Sequence, residues 1–232
     1  MKCIVIVSAA TMLAASPAVA QGVEEIVVTG ARLSEYDASS TPQVTLRKRA
    51  DNLITIATVV CDTRDESQRK AELKATLRNL VRAAGQDQRI DLAVGDEVLG
   101  AFDESMLDAV IQKGSKVDTS TATLIIKTSV SAEDTFDSAT GRIESFVGRA
   151  PKVGRTEVLL DDDWQLTLVN PGQYRPQVAK LIAEDARRMA ALYGDGYGVE
   201  VQGLQLPVSW YQAGPLDLAI YIPYRLNVRP NR

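Results

Sequence analysis

Histidine is absent from all 232 residues of the chain. The absence excludes a Ser-His-Asp triad, a Cys-His dyad, the HExxH zinc motif and every other site that needs an imidazole. Cysteine is scarce as well, because Cys3 and Cys61 are the only two, so a framework of several disulfides is excluded. Cys61 closes an apolar run, which favours a small buried side chain over a bridging thiol.

Long basic tracts and long apolar runs are also missing. The chain has 26 basic and 30 acidic residues, and its one basic cluster is Arg47-Lys48-Arg49. This distribution lacks the positive footprint that a phosphate backbone requires, so we predict no nucleic-acid partner. After residue 20, no stretch reaches the roughly 18 apolar residues of a transmembrane helix. We therefore predict no transmembrane segment in the mature chain.

Residues 1–20 have the pattern of a secretory signal peptide. Lys2 supplies the positive start, residues 3–15 form an apolar core, and Ala18 and Ala20 fit an A-x-A cleavage site. We predict cleavage after Ala20 and a mature chain that begins at Gln21. The protein is then periplasmic or associated with the outer membrane.

The mature chain divides into an arm and a domain. Residues 21–50 form an N-terminal arm with short strands at 25–29 and 43–48, and residues 51–232 form one larger domain. Apolar residues at helical spacing predict helices at 66–84, 136–147 and 176–193. β-Branched and alternating runs predict strands at 53–61, 89–94, 121–130, 155–160, 164–169, 199–208 and 216–228.

Residues at the helix ends mark where two of these helices stop and start. Thr63 and Glu66 stand at the spacing of a capping box, and Gly85 follows the end of the first helix. The last helix has Pro176 in its first turn and Gly194 at its end. Its apolar stripe consists of Val178, Leu181, Ile182, Ala186, Met189 and Tyr193.

The order of the elements predicts an α+β domain in which about three helices cover one face of a mostly antiparallel sheet. The most apolar strands, 53–61 and 216–228, are expected at its centre. Pro223 has no N–H for a ladder, so the last strand is expected to bend there and change neighbours. No phosphate loop or GxGxxG motif stands at a strand-to-helix junction, so we predict no nucleotide cofactor.

Several features of the mature chain follow the layout of a known family. They are Ile26-Val27-Val28-Thr29-Gly30, the apolar strand after Asp51, the charged helix 66–84 and the late helix 178–192. In this layout the chain resembles the exported SIMPL domain, also known as DUF541, although the linker 31–49 is longer and the tail 210–228 is more elaborate. The resemblance implies a SIMPL-like α+β fold, a homo-oligomer at the cell envelope and no catalytic residues.

The segment Glu24-Glu25-Ile26-Val27-Val28-Thr29-Gly30 also resembles the TonB box of outer-membrane TonB-dependent receptors. Such a box binds its partner by β-strand addition. The receptor barrel cannot be present, because about 22 strands of about 9–11 residues exceed the mature chain. Alternatively, the segment is the first strand of the domain. The candidate partner-binding residues are Glu25, Ile26, Val27, Val28, Thr29 and Gly30.

Three further clusters each allow a functional and a structural interpretation. Asp161-Asp162-Asp163 fits a cation site or a solvated turn, and the lack of a DxDxDG loop favours the turn. The glycines of 194–198 fit a ligand contact or a helix end with a tight turn. Trp210-Tyr211, with Tyr221 and Tyr224, fits an aromatic patch or cross-strand pairs. We adopt the structural interpretation each time and predict no metal and no cofactor.

Three functions stay open at this stage. The first is an exported, non-catalytic envelope protein that acts through self-association or partner binding. The second is a TonB-interacting adaptor that uses residues 24–30. The third is a carboxylate-dependent hydrolase, but no Asp or Glu pair is marked as catalytic by its position. We therefore predict that the protein is not an enzyme and prefer the first function.

Overall fold

The computed structural model describes residues 25–28, 43–96 and 98–231. The predicted signal peptide lies outside these residues, as do Thr29 and Gly30 of the candidate partner-binding segment. The described helices are α1 (Glu66–Ala84), α2 (Leu107–Val110), α3 (Phe136–Arg149) and α4 (Arg175–Tyr193). The described strands are β1 (Glu25–Val28), β2 (Leu46–Arg49), β3 (Asn52–Cys61), β4 (Ile90–Val94), β5 (Gly100–Ala101), β6 (Ile111–Lys113), β7 (Ser120–Ser129), β8 (Thr156–Val169), β9 (Tyr197–Gln202), β10 (Ser209–Gln212), β11 (Asp217–Tyr221) and β12 (Arg225–Pro230).

The strands form one large sheet and two small ones. The large sheet has the order β1-β8-β3-β7-β4-β5, and β6 also pairs with β7. The small sheets are β10-β11-β2 and β12-β9. Every pairing among the described strands is antiparallel. The predicted α+β class with a mostly antiparallel sheet is confirmed. Both strands of the segment 21–50 pair with strands of the larger domain.

The core lies between the large sheet and the helices. Alternate residues of β3 are fully buried on this side, as the period of two along a strand requires. Helices α1 and α3 cover one part of the sheet, while α4 and β11 cover another. The opposite face of the sheet carries a smaller cluster around Ile54 and Ile125. The buried residues that build the main core from β3, α1 and α3 are Leu53, Ala57, Val59, Cys61, Leu73, Leu77, Leu80, Ile143 and Phe146.

The ends of α1 differ from their prediction. Asp65, rather than Thr63, is the N-cap, and its carboxylate accepts a hydrogen bond from the Gln68 N–H at 2.7 Å. The Thr63 hydroxyl instead donates to Glu72 at 2.6 Å. Gly85 follows the helix as predicted but has φ −62, so it does not adopt the left-handed conformation of a glycine cap.

The acidic triplet Asp161-Asp162-Asp163 lies inside a strand, so the prediction of two strands around a turn is wrong. In the β3–β8 register, Ala57 pairs with Leu160 and Thr55 pairs with Trp164. The extra residues of β8 bulge out of the ladder, and the Thr55 hydroxyl donates to the Asp161 carbonyl at 2.8 Å. Such a bulge lets a strand continue past residues that have no partner opposite them.

The C-terminal segment divides at Pro223, as predicted. β11 pairs with β10 and β2, whereas β12 pairs with β9. The prediction that this segment is central to the large sheet is wrong, because β11 is the middle strand of a separate sheet. The predicted strand 199–208 is shorter and ends at Gln202. Strand β10 has no counterpart among the predicted elements.

Helix α4 buries a narrower stripe than its sequence indicates. Val178 and Ile182 are fully buried, but Leu181 is half-buried and lines a surface pocket beside Val44. Tyr193 is 52% exposed. The helix therefore contacts the core through residues at i and i+4 and leaves the flank of its apolar stripe at the surface.

Candidate functional site

The candidate partner-binding segment forms the edge strand of the large sheet. β1 pairs with the last residues of β8, with Glu25 opposite Val169 and Val28 opposite Leu166. No strand within the described ranges pairs with the other edge of β1, and part of β10, from one of the small sheets, lies near β1. Four of the six candidate residues, Glu25 to Val28, are thus placed in one extended strand.

The hydrogen bonds of β8 show which peptide groups of β1 face outward. The Thr167 carbonyl accepts from the Asp51 N–H at 3.0 Å, so Thr167 directs its peptide groups toward β3. Successive residues of an antiparallel strand alternate between its two edges, so Leu166 and Leu168 face β1. Their register partners Val28 and Ile26 therefore bond to β8. The N–H and C=O groups of Glu25 and Val27 point away from the sheet.

β8 is held in place on its other side independently of β1. β3 pairs with β8 from Asn52 to Cys61, apart from the bulge. Asp51 extends this contact, because its carboxylate accepts a hydrogen bond from the Val169 N–H at 2.8 Å. β8 is therefore paired with β3 along its other edge, whether or not β1 is present.

A polar cluster surrounds Cys61 at the far end of β3. The thiol is fully buried and lies 3.4 Å from Glu72 Oε2. The Thr63 hydroxyl, the Arg155 N–H and the Gln68 amide also donate to the Glu72 carboxylate. These hydrogen bonds, with that of Thr63 the strongest influence, lower the pKa of Glu72 to about 2. Glu72 therefore stays ionised and joins α1 to the end of β3 and to the residue before β8.

The backbone beside Glu72 is shaped to receive it. Gly154 has φ +60, and a Cβ at this position would lie 2.1 Å from Glu72 Cδ. Arg69, which is buried, completes the junction by donating to Ser120 Oγ at 3.0 Å and to the Thr63 carbonyl at 2.7 Å. Because the thiol and the carboxylate both form hydrogen bonds within the protein, we interpret the cluster as structural.

A second cluster joins three arginines to Asp134. The Asp134 carboxylate accepts from Arg89 and Arg142 and from the Ser131 N–H, and its carbonyl accepts from Arg49. Burial raises the pKa of Asp134, but the hydrogen bonds from Ser131, Arg89 and Arg142 outweigh it and hold the pKa well below 3.8. The cluster joins β2, the turn before β4 and α3 to the turn before α3. Sequence reasoning missed it.

A cavity of about 910 Å³ opens at the Cys61 end of the sheet. Asp62 and Arg155 form a bidentate ion pair on its rim, with both N–O distances 2.7 Å. Hydrogen bonding to Arg155 lowers the pKa of Asp62. Three cationic and three carboxylate side chains line the cavity, so their formal charges sum to zero. They are Arg64, Lys116, Arg155, Asp62, Asp118 and Glu157.

The other clusters singled out from the sequence do not form a site. Asp163 accepts from the Gln165 amide at 2.9 Å on the exposed bulge. Within the described part of the chain, no group of three or more Asp, Glu, Cys or His side chains is arranged to hold a metal. Tyr211 and Tyr221 pack with ring centroids 6.1 Å apart, and the Tyr224 hydroxyl donates to Asp185 at 2.8 Å.

Comparison with known proteins gives no match to a protein family, a curated protein or a solved structure. Across the described ranges, no helix is long and apolar enough to cross a membrane.

Proposed function

We propose that this protein is an exported, non-catalytic envelope protein of the SIMPL type that acts by self-association or by binding a partner, with β1 as its contact strand. The observation that carries the proposal is the edge position of β1, with the peptide groups of Glu25 and Val27 directed away from the sheet. An unpaired strand edge is a template for a further strand.

The state of the carboxylates supports a non-catalytic role. A general acid or base needs a pKa near the working pH and access to a substrate. The pKa values of Glu72 and Asp134 are instead lowered, away from neutral pH, by hydrogen-bond donors of the protein itself. Neither carboxylate is therefore suited to exchange protons with a substrate at neutral pH.

Export is tested by the N-terminus of the protein found outside the cytoplasm. We expect the mature chain to start at Gln21, because Ala18 and Ala20 fit the cleavage site and a polar segment follows. N-terminal sequencing of the periplasmic fraction checks this. Recovery of a chain that retains Met1 in the membrane fraction would contradict the proposal of export.

Removal of residues 24–30 tests β1 as the contact strand. We expect the shortened protein to melt cooperatively, at a lower temperature, because β8 keeps its partner β3 and its bond to Asp51. Association of the protein, measured by light scattering over a wide concentration range, should be lost. The matched control is Glu25→Gln, which changes a charge but keeps the strand. Unchanged association after the deletion would contradict the role of β1.

A TonB-interacting adaptor is the alternative, favoured by the Glu-Glu-Ile-Val-Val-Thr-Gly segment and by the pairing of β1 to a single strand. In this case the purified C-terminal domain of TonB should bind the full protein and should not bind the form without residues 24–30. Calorimetric titration of both proteins measures the difference. Equal binding, or no binding to either, rejects the adaptor.

A further inference from the structure

Most strands at other sheet edges carry features that discourage pairing with a second chain, and the exception is β10, the uncharged edge strand of a small sheet. β5 and β6 are two and three residues long. β2 is the charged sequence Leu-Arg-Lys-Arg, and β12 carries two arginines and ends in Pro230. Short length, charge and proline are the usual protections of a sheet edge.

β1 differs from these edges in composition. Its charge stands at its first residue, and the strand continues as Ile-Val-Val. β-Branched residues favour extended backbone, and nothing in β1 removes an N–H from the edge. The outward peptide groups of Glu25 and Val27 have no hydrogen-bond partner among the described backbone groups.

We propose that two copies of this chain associate by antiparallel pairing of β1 with β1, each strand remaining in its own sheet. The inference rests on the proposed role of β1 and specifies its partner. A twofold axis perpendicular to the sheet relates the two strands, as in an isologous dimer. The two large sheets become one continuous sheet, with both helical layers on the same side.

The register of this pairing follows from which residues of β1 direct their peptide groups outward. In an antiparallel ladder, residues that exchange hydrogen bonds must both face the partner. With the twofold axis at Ile26, Glu25 of each copy pairs with Val27 of the other, so every outward group of β1 has a partner. The parallel arrangement would place Glu25 against Glu25, and like charges directly opposite destabilise a pair.

The β1–β1 contact involves few residues, which limits the affinity of the dimer. β1 has four residues, so the interface is below the size of a permanent dimer and belongs to the weak, concentration-dependent class. In the alternative, strand exchange, β1 of each copy would leave its own β8 and pair with β8 of the other copy. Fixing β1 to its own β8 would therefore prevent strand exchange but would still allow β1 to pair with β1.

A pair of proline variants tests the edge. Val27→Pro removes an outward N–H and leaves the bonds to β8, so we expect unchanged melting and dimerisation weaker by at least roughly tenfold. Ile26→Pro is the matched variant. It removes an N–H that bonds to β8, so we expect its melting temperature to fall. Sedimentation equilibrium of the mature protein measures dimerisation. Equal dimerisation of Val27→Pro and the unchanged protein would overturn the inference.

A disulfide between β1 and β8 tests whether β1 stays in place. Glu25 and Val169 are directly opposite and do not exchange hydrogen bonds, so their backbones are close enough for Glu25→Cys and Val169→Cys to bridge. We expect the oxidised and reduced forms to dimerise equally. Dimerisation of the reduced form alone would show strand exchange and overturn the inference, while the proposed role of β1 would stand. A protein that is monomeric at every concentration would also overturn the inference, and TonB binding then decides the role of β1.

Discussion

A chain that ends at Gly214 is expected to unfold rather than to lose an appendage. β11 is the middle strand of its sheet, and four alternate residues of the segment are 0–3% exposed. Full burial of each contributes about 1.5–3 kcal/mol, and together they approach the roughly 5–15 kcal/mol net stability of a domain. These residues are Leu216, Leu218, Ile220 and Ile222.

Circular dichroism and urea titration measure this effect. A chain that ends at Pro230 is the control, because it retains β11 and β12 complete and should unfold in a single transition close to that of the full protein. A protein ending at Gly214 that still melts cooperatively and resists protease would show that the C-terminal segment is dispensable.

Asp134→Asn should lower the free energy of unfolding by about 3 kcal/mol at neutral pH, because it leaves arginines without their counter-charge in a partly buried site. The Asp134 side chain is 8% exposed and that of Arg142 is 16% exposed. The neighbouring exposed residue provides the control, and Glu133→Gln should change the stability by no more than about 0.5 kcal/mol. Equal effects of the two substitutions in urea titration would contradict the importance of the cluster.

The pH dependence of the same comparison has a definite sign. Because the folded pKa of Asp134 lies below the unfolded value of 3.8, its ionised form stabilises the fold at pH values above 3.8. This contribution is lost as the pH falls toward the folded pKa. The stability difference between the protein and Asp134→Asn should therefore be constant near neutrality and narrow in acid.

Long elements with one dominant period were predictable from the sequence. β3, β7 and α3 lie within a few residues of their predicted bounds. Burial of one face places apolar residues at a regular spacing, which is visible in the local sequence. The bulge of β8 was not predictable in this way. Three aspartates indicate a solvated turn, and only the register with β3 shows that they are displaced from a continuing strand.

Side-chain partners distant in sequence were also beyond prediction. Thr63 and Asp65 are both residues that cap helices, but α1 begins at Glu66, so the adjacent Asp65 accepts from the Gln68 N–H and Thr63 lies too far from the first turn. Arg49, Arg89 and Arg142 lie far apart in the chain, in β2, in the turn before β4 and in α3, so no spacing marks them as one cluster. The extended form of 25–28 was predictable, whereas its pairing with β8 required the fold.

The fit of Gly154 around Glu72 constrains how related sequences can vary. A side chain at 154 would displace the carboxylate that receives Thr63, Cys61 and the Arg155 N–H. At φ +60, asparagine is the replacement with the least backbone strain, but it also carries a Cβ. Homologues that keep glutamate at 72 should therefore keep glycine at 154, and a larger residue at 154 should occur only together with a shorter one at 72. The two positions should evolve as a pair.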